Sequence, residues 1–199
     1  MSEKGKLIVI SGPSGSGKST VVNKAIRGRD DMCFSTSVTT RSPRPGEVDG
    51  KDYYFIDPQR FREMVEQGEL LEHAEYVALS YGTPRAFVEQ KLDAGLNVIL
   101  DIEVQGARQV REKMPEAVLI FIVPPSLDEL RRRLENRGTD APDVIEARLL
   151  RASEELKEAE LYDYLIINDD LETAAGEFSS ILTAEHCKYN HRKHLLKEF

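Results

Sequence analysis

A glycine-rich segment near the start of the chain has the residue types and spacing that bind nucleotide phosphates. Residues 12–19 read Gly-Pro-Ser-Gly-Ser-Gly-Lys-Ser and directly follow an apolar run. The spacing G-x-x-x-x-G-K-[ST] between a strand and a helix is typical of the P-loop, in which backbone N–H groups surround phosphate oxygens. Lys18 is expected to reach the β- and γ-phosphates, and the Ser19 hydroxyl to ligate Mg²⁺. The alternative is an ordinary strand–turn–helix corner.

Phosphoryl transfer also needs a metal ligand and positive charge, and the sequence offers candidates for both. Asp101 ends an apolar run, and an aspartate at the carboxyl edge of a parallel strand can hold a Mg²⁺-bound water. Its alternative role is to cap the helix that begins near Glu103. Arg41 and Arg44 lie three residues apart on a proline-stiffened loop, where guanidinium groups bind phosphate oxygens in pairs. An exposed basic turn is the alternative for these arginines.

The elements that must position these residues alternate along the chain. Short runs rich in Val, Ile and Leu predict strands buried on both faces, at 6–10, 97–102, 117–123 and 164–168. Amphipathic segments predict helices at 18–27, 103–114, 126–136, 143–160 and 171–188. Ser126, with Glu129 three residues later, is a capping-box signature. The predicted fold class is therefore α/β, a P-loop parallel sheet with helices on both faces.

The middle of the chain breaks this alternation. Turns separate strand-like pieces there, at 33–38, 52–56, 70–76 and 77–81, and Asp57-Pro58 and Thr83-Pro84 look like helix starts. This region predicts a small mixed α+β insertion, and the breaker-rich stretch 136–142 predicts a short lid. We predict a single domain over 1–199. Its predicted parts are a core (1–32, 96–125 and 160–199), the insertion (33–95) and a lid region (126–159).

Composition limits the partners of the chain. The net charge of −8 over 199 residues argues against a general nucleic-acid binder, which would show a basic excess. Apolar runs are too short for a membrane span, so neither nucleic acid nor membrane is an expected partner. Cys33 and Cys187 fit no zinc spacing and are predicted to be reduced thiols in a cytoplasmic protein. Composition leaves a homo-oligomer open.

A longer set of motifs resembles the guanylate kinase family. The matching motifs cover about residues 6–172 in the family's order. They read G-P-S-G-S-G-K-S, S-V-T-T-R-S-P-R-P-G-E-V-D-G-K-D-Y, L-L-E-H-A, Y-G-T-P, D-I-E-V-Q-G-A, R-R-R-L-E-N-R-G-T and I-I-N-D-D-L. The resemblance implies an enzyme that transfers the γ-phosphoryl group of ATP to GMP, with Mg²⁺ as cofactor and the insertion as the GMP-binding part.

The resemblance also implies a role for each matching position. ATP is expected to contact Gly12, Pro13, Ser14, Gly15, Ser16, Gly17, Lys18, Ser19, Thr20, Arg133, Arg137 and Asn168. The GMP phosphate is expected on Arg41, Arg44, Tyr53 and Tyr81, and the base on Ser37, Glu72, Thr83 and Glu103, with Asp101 also in the GMP site. The catalytic residues are expected to be Lys18, Arg41, Arg44, Arg137 and Arg148, and the Mg²⁺ ligands Ser19 and Asp101.

The chemistry of guanine agrees with the implied acidic pair, Glu72 and Glu103. Guanine presents N1–H and an amino group as donors, which carboxylates accept, and O6 as an acceptor for a hydroxyl. Adenine has no N1–H, and such a mismatch can reject an analogue by a factor of ~10⁴. One departure from the family pattern is the segment 76–80, which lacks the usual Gly and Asn in the turn before Tyr81.

The sequence also leaves three other functions open. The first is another nucleotide or small-metabolite kinase on the same fold. The second is a guanylate-kinase-like module that binds phosphorylated peptides, which usually lacks a working P-loop. The third is a P-loop regulatory ATPase that hydrolyses ATP without an acceptor.

Overall fold

The computed structural model describes residues 4–76, 79–136, 138 and 140–198, in which strands alternate with helices. The strands are β1 (Leu7–Ser11), β2 (Met32–Phe34), β3 (Val38–Thr39), β4 (Tyr54–Phe55), β5 (Leu70–Tyr76), β6 (Leu79–Pro84), β7 (Asn97–Asp101), β8 (Val118–Val123) and β9 (Tyr164–Ile167). The α-helices are α1 (Lys18–Ala25), α2 (Pro58–Glu66), α3 (Arg85–Asp93), α4 (Val104–Lys113), α5 (Leu127–Asn136), α6 (Pro142–Lys157), α7 (Leu171–His186) and α8 (Tyr189–Arg192). Short 3₁₀ helices cover Ala159–Leu161 and Lys193–Glu198. Among these described residues, none of the helices has the length and apolar character that crossing a bilayer requires.

The chain folds into two units. Unit 1 comprises the described residues of Met1–Ile10 and Asp30–Ala117, and unit 2 those of Ser11–Arg29 and Val118–Phe199. The division into core, insertion and lid region that the sequence suggests stays a prediction.

Parallel strands of unit 1 bring Asp101 to a sheet edge. β7 pairs with β1, from Leu7 opposite Val98 to Ile10 opposite Asp101, and on its other side with β2. The side chains of β1 are buried throughout, as are Val98, Ile99 and Leu100. Runs without polar alternation form such strands because both faces of a parallel sheet are covered. Asp101, the last residue of β7, is exposed.

A second sheet of unit 1 is mixed and has the order β4-β3-β6-β5. β3 runs parallel to β4 and antiparallel to β6, and β5 is antiparallel to β6. Helix α2 packs its buried Phe61 and Met64 in one apolar cluster with Val38 and Leu70. Asp57 caps this helix by accepting hydrogen bonds from two backbone N–H groups, as its position before Pro58 predicts.

Unit 2 contains the parallel pair β8–β9 and the helices around it. Helices α5 and α6 share an apolar cluster that includes Leu130, Leu134 and Leu149. The backbone N–H of Glu129 donates to the Ser126 hydroxyl at 3.0 Å, which confirms that half of the predicted capping box. The predicted α/β class, with parallel strands and flanking helices, is confirmed.

One predicted element in the middle of the chain is wrong. The expected strand 33–38 is split into β2 and β3, which belong to different sheets, because the Ser35 N–H bonds Ile99 while the Ser37 carbonyl accepts from Tyr54. The helix expected to open at Thr83-Pro84 is confirmed, with Pro84 as its N-cap residue, and it begins at Arg85 because β6 continues to pair with β5 as far as Pro84.

Candidate nucleotide sites

The glycine-rich loop of unit 2 joins β1 to α1 with the backbone conformations that a P-loop needs. Gly12 has φ of 143° and Gly17, the N-cap residue of α1, has φ of 87°. A Cβ atom on Gly12 would overlap the carbonyl oxygen of Ile122, so the loop has no room for a side chain there. The Lys18 ammonium donates to the Gly12 carbonyl at 2.6 Å, which holds it against its own loop.

Two predicted ATP-site residues are bound to this loop. The buried Asn168 side-chain amide donates to the Ser16 carbonyl at 2.7 Å. Arg133 donates to the carbonyls of Ser16 at 3.3 Å and Asn168 at 2.8 Å, and its Nε donates to Glu129 at 2.7 Å. These bonds hold the loop backbone in place. The other loop residues expected to contact ATP lie in the same turn or in the first turn of α1, namely Pro13, Ser14, Gly15, Ser19 and Thr20.

The arginines of the predicted lid region have different surroundings. Arg148 forms an ion pair with Asp140 at 3.2 Å. Arg131 and Arg132 are paired with Glu146 and Glu129 at the helix surface, so they fit a solvated face. The expected catalytic Arg137 lies outside the described residues, as does Thr139 of the predicted lid.

In unit 1 an arginine–tyrosine cluster forms where the GMP phosphate is expected. The guanidinium of Arg41 lies 5.3 Å from the ring centroid of Tyr53, and the rings of Tyr53 and Tyr81 are 6.1 Å apart. Burial raises the pKa of the Tyr53 hydroxyl, which therefore stays protonated and able to donate. The structure brings Arg41, Tyr53 and Tyr81 together, whereas the side chain of Arg44 is exposed. The residues 77 and 78 of the atypical segment before Tyr81 lie outside the described residues.

Glu47 is a member of this cluster to which the motifs assign no role. Its two carboxylate oxygens accept from the two Nη atoms of Arg41 at 2.8 and 2.9 Å, and Oε2 also accepts from the Arg44 backbone N–H at 2.7 Å. The hydrogen bond from Arg41 lowers the pKa of Glu47 to about 2, so this carboxylate is ionised at any working pH. In the sequence, the signal for this contact is an acidic residue that follows Arg44 by three positions and Arg41 by six.

The predicted guanine site centres on Glu72, which is 3% exposed. The Thr83 hydroxyl, directly opposite it in the β5–β6 register, donates to Oε1 at 2.6 Å. Burial raises the pKa of Glu72 from 4.5 to about 7, although the bond from Thr83 and the charge of Lys113 oppose the shift. A carboxylate held so far from water is suited to accept hydrogen bonds from a base that enters the site.

The remaining expected GMP contacts follow β3 and β7. Ser37 precedes β3, and its carbonyl accepts from the Tyr54 N–H at 2.9 Å. Glu103 is the N-cap residue of α4, so the alternative role of Asp101 as that cap is wrong. The charge of Asp101 contributes to raising the Tyr53 pKa, so Asp101 is electrostatically coupled to the arginine–tyrosine cluster.

A strand, a glycine-rich turn and a helix that presents a lysine to its own loop define the class of P-loop nucleotide-binding proteins. The guanylate kinase family model matches residues 4–185. The chain is 53% identical to the guanylate kinase of Lactococcus lactis, over 94% of this chain and 91% of that one. It is 54% identical to a guanylate kinase of Thermus thermophilus, over 92% of this chain and 82% of that one. The crystal structure of guanylate kinase from Anaplasma phagocytophilum superimposes with a TM-score of 0.77 at 42% identity, covering 94% of this chain and 89% of that chain.

The chain therefore belongs to the guanylate kinase family. It is an enzyme of that family, which phosphorylates GMP to GDP with ATP as the donor. The alternatives of a phosphopeptide-binding module, a regulatory ATPase and a kinase for another metabolite are not supported by these relatives.

Proposed function

We propose that the loop 12–19 holds the triphosphate of ATP and that the arginine–tyrosine cluster holds the phosphate of GMP. The loop supplies backbone N–H groups and the Lys18 ammonium, which bonds the Gly12 carbonyl and can exchange this partner for phosphate oxygens. In the cluster, Arg41 offers a planar guanidinium whose geometry matches phosphate as well as carboxylate. Arg44, Tyr53 and Tyr81 complete the donors.

Selection of guanine is proposed to depend on Glu72 and its neighbours. The ionised Glu72 accepts from N1–H and the exocyclic amino group, and Glu103 offers a second acidic acceptor. The Ser37 hydroxyl can donate to O6, whereas the Thr83 hydroxyl, which donates to Glu72 Oε1, would have to exchange that bond to donate to O6. Adenine would leave the buried carboxylate facing an acceptor, and the cost of that mismatch is the source of the discrimination. The observation that carries this proposal is the buried Glu72 carboxylate, 2.6 Å from the Thr83 hydroxyl.

Ser19 and Asp101 are proposed to hold Mg²⁺ with the ATP phosphates. The donor set fits this ion, because a hydroxyl and a carboxylate are the hard oxygen ligands that Mg²⁺ prefers, and both side chains are exposed. The ion would neutralise charge on the transferred group when bound. The residues are proposed from their chemistry and from the position of Asp101 at the carboxyl end of β7.

The chain need not supply a general base for this reaction. The attacking oxygen belongs to the GMP phosphate, which is already anionic, so the residues have to bring two anions together and shield their charge. Lys18, Arg41 and Arg44 are proposed for this task, with Arg133, Arg137 and Arg148 acting on the ATP side. Since the substrates are ATP and GMP, we propose a cytoplasmic location, where both nucleotides are made.

The test is ADP formation in a coupled assay with GMP, AMP, CMP or UMP as acceptor. We expect turnover with GMP and at least ~10³-fold lower kcat/KM with AMP. The variant Glu72→Gln is expected to lose GMP turnover. Its matched control, Glu75→Gln, changes an exposed acid on the same strand and is expected to keep GMP turnover. Equal kcat/KM for AMP and GMP in the wild-type enzyme would refute the assignment of the guanine site.

A further inference from the structure

Helix α4 approaches Glu72 at a residue without a side chain. Gly106 is buried in the first half of α4. A Cβ atom on Gly106 would overlap Oε2 of Glu72 and would lie 3.0 Å from its Cδ. Real carbon atoms in contact lie about 3.5–4.0 Å apart. The carboxylate therefore rests directly on the Cα of Gly106.

We propose that Gly106 is a specificity-determining positioning residue, which leaves the space that the Glu72 carboxylate needs to read guanine. This inference rests on the proposed function, in which Glu72 accepts hydrogen bonds from the base. Gly106 itself is not proposed to touch the nucleotide.

The two oxygens of Glu72 are constrained from different sides. Oε1 accepts from the buried Thr83 hydroxyl at 2.6 Å, while Oε2 lies against Gly106. A methyl group on Gly106 would also lie 3.3 Å from Cδ1 of Ile102, so it has no open direction to turn to. An added methyl group must therefore displace either the carboxylate or the helix.

The helix is not free to withdraw. Lys113 on α4 donates to the Leu71 carbonyl at 2.6 Å, and Gln109 donates to the His73 carbonyl at 2.6 Å. Gln109 also accepts from the His73 N–H at 3.2 Å. These bonds hold the strand on either side of Glu72.

The spacing on α4 explains why this contact forms. Gly106, Gln109 and Lys113 are separated by three and four residues, so they share one face of the helix. Gln109 and Lys113 bond the helix to β5, and Gly106 leaves room for the Glu72 carboxylate between the helix and the strand. The displacement caused by a methyl group is therefore expected to fall on the carboxylate.

Helix propensity gives no reason for glycine at this position. Gly106 has a helical backbone without a positive φ, and alanine is a better helix former than glycine. The close approach of the carboxylate supplies the reason.

The variant Gly106→Ala tests the proposal. We expect KM for GMP to rise at least tenfold, and the ratio of kcat/KM for GMP to that for AMP to fall by a similar factor. KM for ATP is expected to stay within twofold. The matched control is Gly176→Ala, at a helical glycine of α7 whose added Cβ meets nothing within 4 Å. This control is expected to have the wild-type KM for GMP, KM for ATP and ratio of kcat/KM values. Wild-type GMP kinetics in Gly106→Ala would overturn the inference and leave the guanine site itself standing.

A double-variant cycle separates this inference from the proposed function. In the Glu72→Ala background the methyl group has no carboxylate to displace, so adding Gly106→Ala is expected to change KM for GMP by less than twofold. A further tenfold loss in that background would overturn the inference. If Glu72→Ala alone keeps the wild-type KM for GMP, the proposed guanine site fails.

Folding supplies the second measurement. Should Gly106→Ala not fold alone, the Glu72→Ala background is expected to restore a cooperative thermal transition, because the clash is gone. A double variant that also fails to fold would overturn the inference.

Discussion

Replacing Glu72 by glutamine is expected to raise the free energy of unfolding and to lower kcat/KM for GMP. The substitution keeps the size of the side chain and an acceptor for the Thr83 hydroxyl, which donates to Oε1 at 2.6 Å. It removes a charge from a group that is 3% exposed. Burying a charge without full compensation is unfavourable, so the neutral amide is expected to suit the folded state better than the carboxylate.

The magnitude follows from the raised pKa of Glu72. Burial raises this pKa from 4.5 to about 7, and a difference of that size corresponds to about 3 kcal/mol. Between these two pH values the folded protein keeps a proton that the unfolded chain gives up. The contribution of Glu72 to stability therefore falls as pH rises through this window, and the penalty is complete above it. Glutamine does not titrate, so the stability advantage of Glu72→Gln grows by about 3 kcal/mol from pH ~4.5 to pH ~8.

Urea unfolding of both proteins at pH ~5 and pH ~8 measures this difference. The advantage of Glu72→Gln is expected to be small at the lower pH and near its full value at the higher one. In the same preparations kcat/KM for GMP is expected to fall by a factor of ~10² or more, because the amide presents a donor to the donors of guanine. The control Glu75→Gln, on an exposed side chain, is expected to change stability by less than ~0.5 kcal/mol.

A loss of stability at the higher pH would contradict this reasoning, as would an advantage that does not change with pH. Either result would mean that Glu72 is a structural partner rather than a buried group kept for binding. Opposite signs for stability and activity are the expected signature of a site that tolerates unfavourable burial for its function.

Three further predictions concern the phosphate sites. Lys18→Ala is expected to abolish ADP formation while GMP binding persists, since this ammonium belongs to the ATP loop. Initial rates and an equilibrium titration with GMP measure the two effects, and Lys24→Ala on the same helix is the control. Arg41→Lys is expected to raise KM for GMP roughly tenfold or more, because an ammonium cannot make the paired bonds of a guanidinium, and steady-state kinetics with GMP varied check it. Gly12→Ala is expected to lower the free energy of unfolding by about 3 kcal/mol or more, because its Cβ would overlap the Ile122 carbonyl at a positive φ. Gly28→Ala, which has a positive φ and open space, is expected to lose only about 1 kcal/mol in the same urea titration.

Each of these predictions has a result that contradicts it. Normal turnover in Lys18→Ala would remove the loop from the reaction. An unchanged KM for GMP in Arg41→Lys would place the GMP phosphate elsewhere. Equal stability losses in Gly12→Ala and Gly28→Ala would mean that the carbonyl contact at Gly12 has no energetic weight.

Local patterns were sufficient for the strands and helices around the P-loop. The run 97–102 is apolar at its centre and the run 117–123 is apolar throughout. Both form strands within one residue of the expected bounds because both faces of parallel strands are buried. The cap residues Asp57 and Ser126 also act as expected, since capping depends on residues within one turn.

Long-range strand pairing determines where the expected strand 33–38 is divided. Between Phe34 and Val38 there is no glycine or proline, and the short polar stretch Ser35-Thr36-Ser37 is the only local sign of a break. The chain nevertheless passes from one sheet to another, because Phe34 pairs with Ile99 and Val38 pairs with Gly82. Partners so distant in sequence leave no local signal.

In the candidate site, too, some residues could be predicted from the sequence, while others depend on contacts between distant parts of the chain. Arg41 and Tyr53 could be named because they match a long motif, and Tyr81 because it matches the motif Y-G-T-P. The structure brings the three residues together. Glu47 lies in the long motif, but its bond to Arg41 depends on how the loop folds back. The importance of Gly106 depends on the distance to a side chain of another element, which no spacing along the helix reveals.

A crystal structure with bound GMP would show whether Glu72 binds the base and the arginine–tyrosine cluster binds the phosphate. We expect the guanine N1–H and amino group within about 3 Å of the Glu72 carboxylate, and the phosphate on Arg41, Tyr53 and Tyr81. A base bound away from Glu72, with the phosphate on other residues, would contradict this expectation.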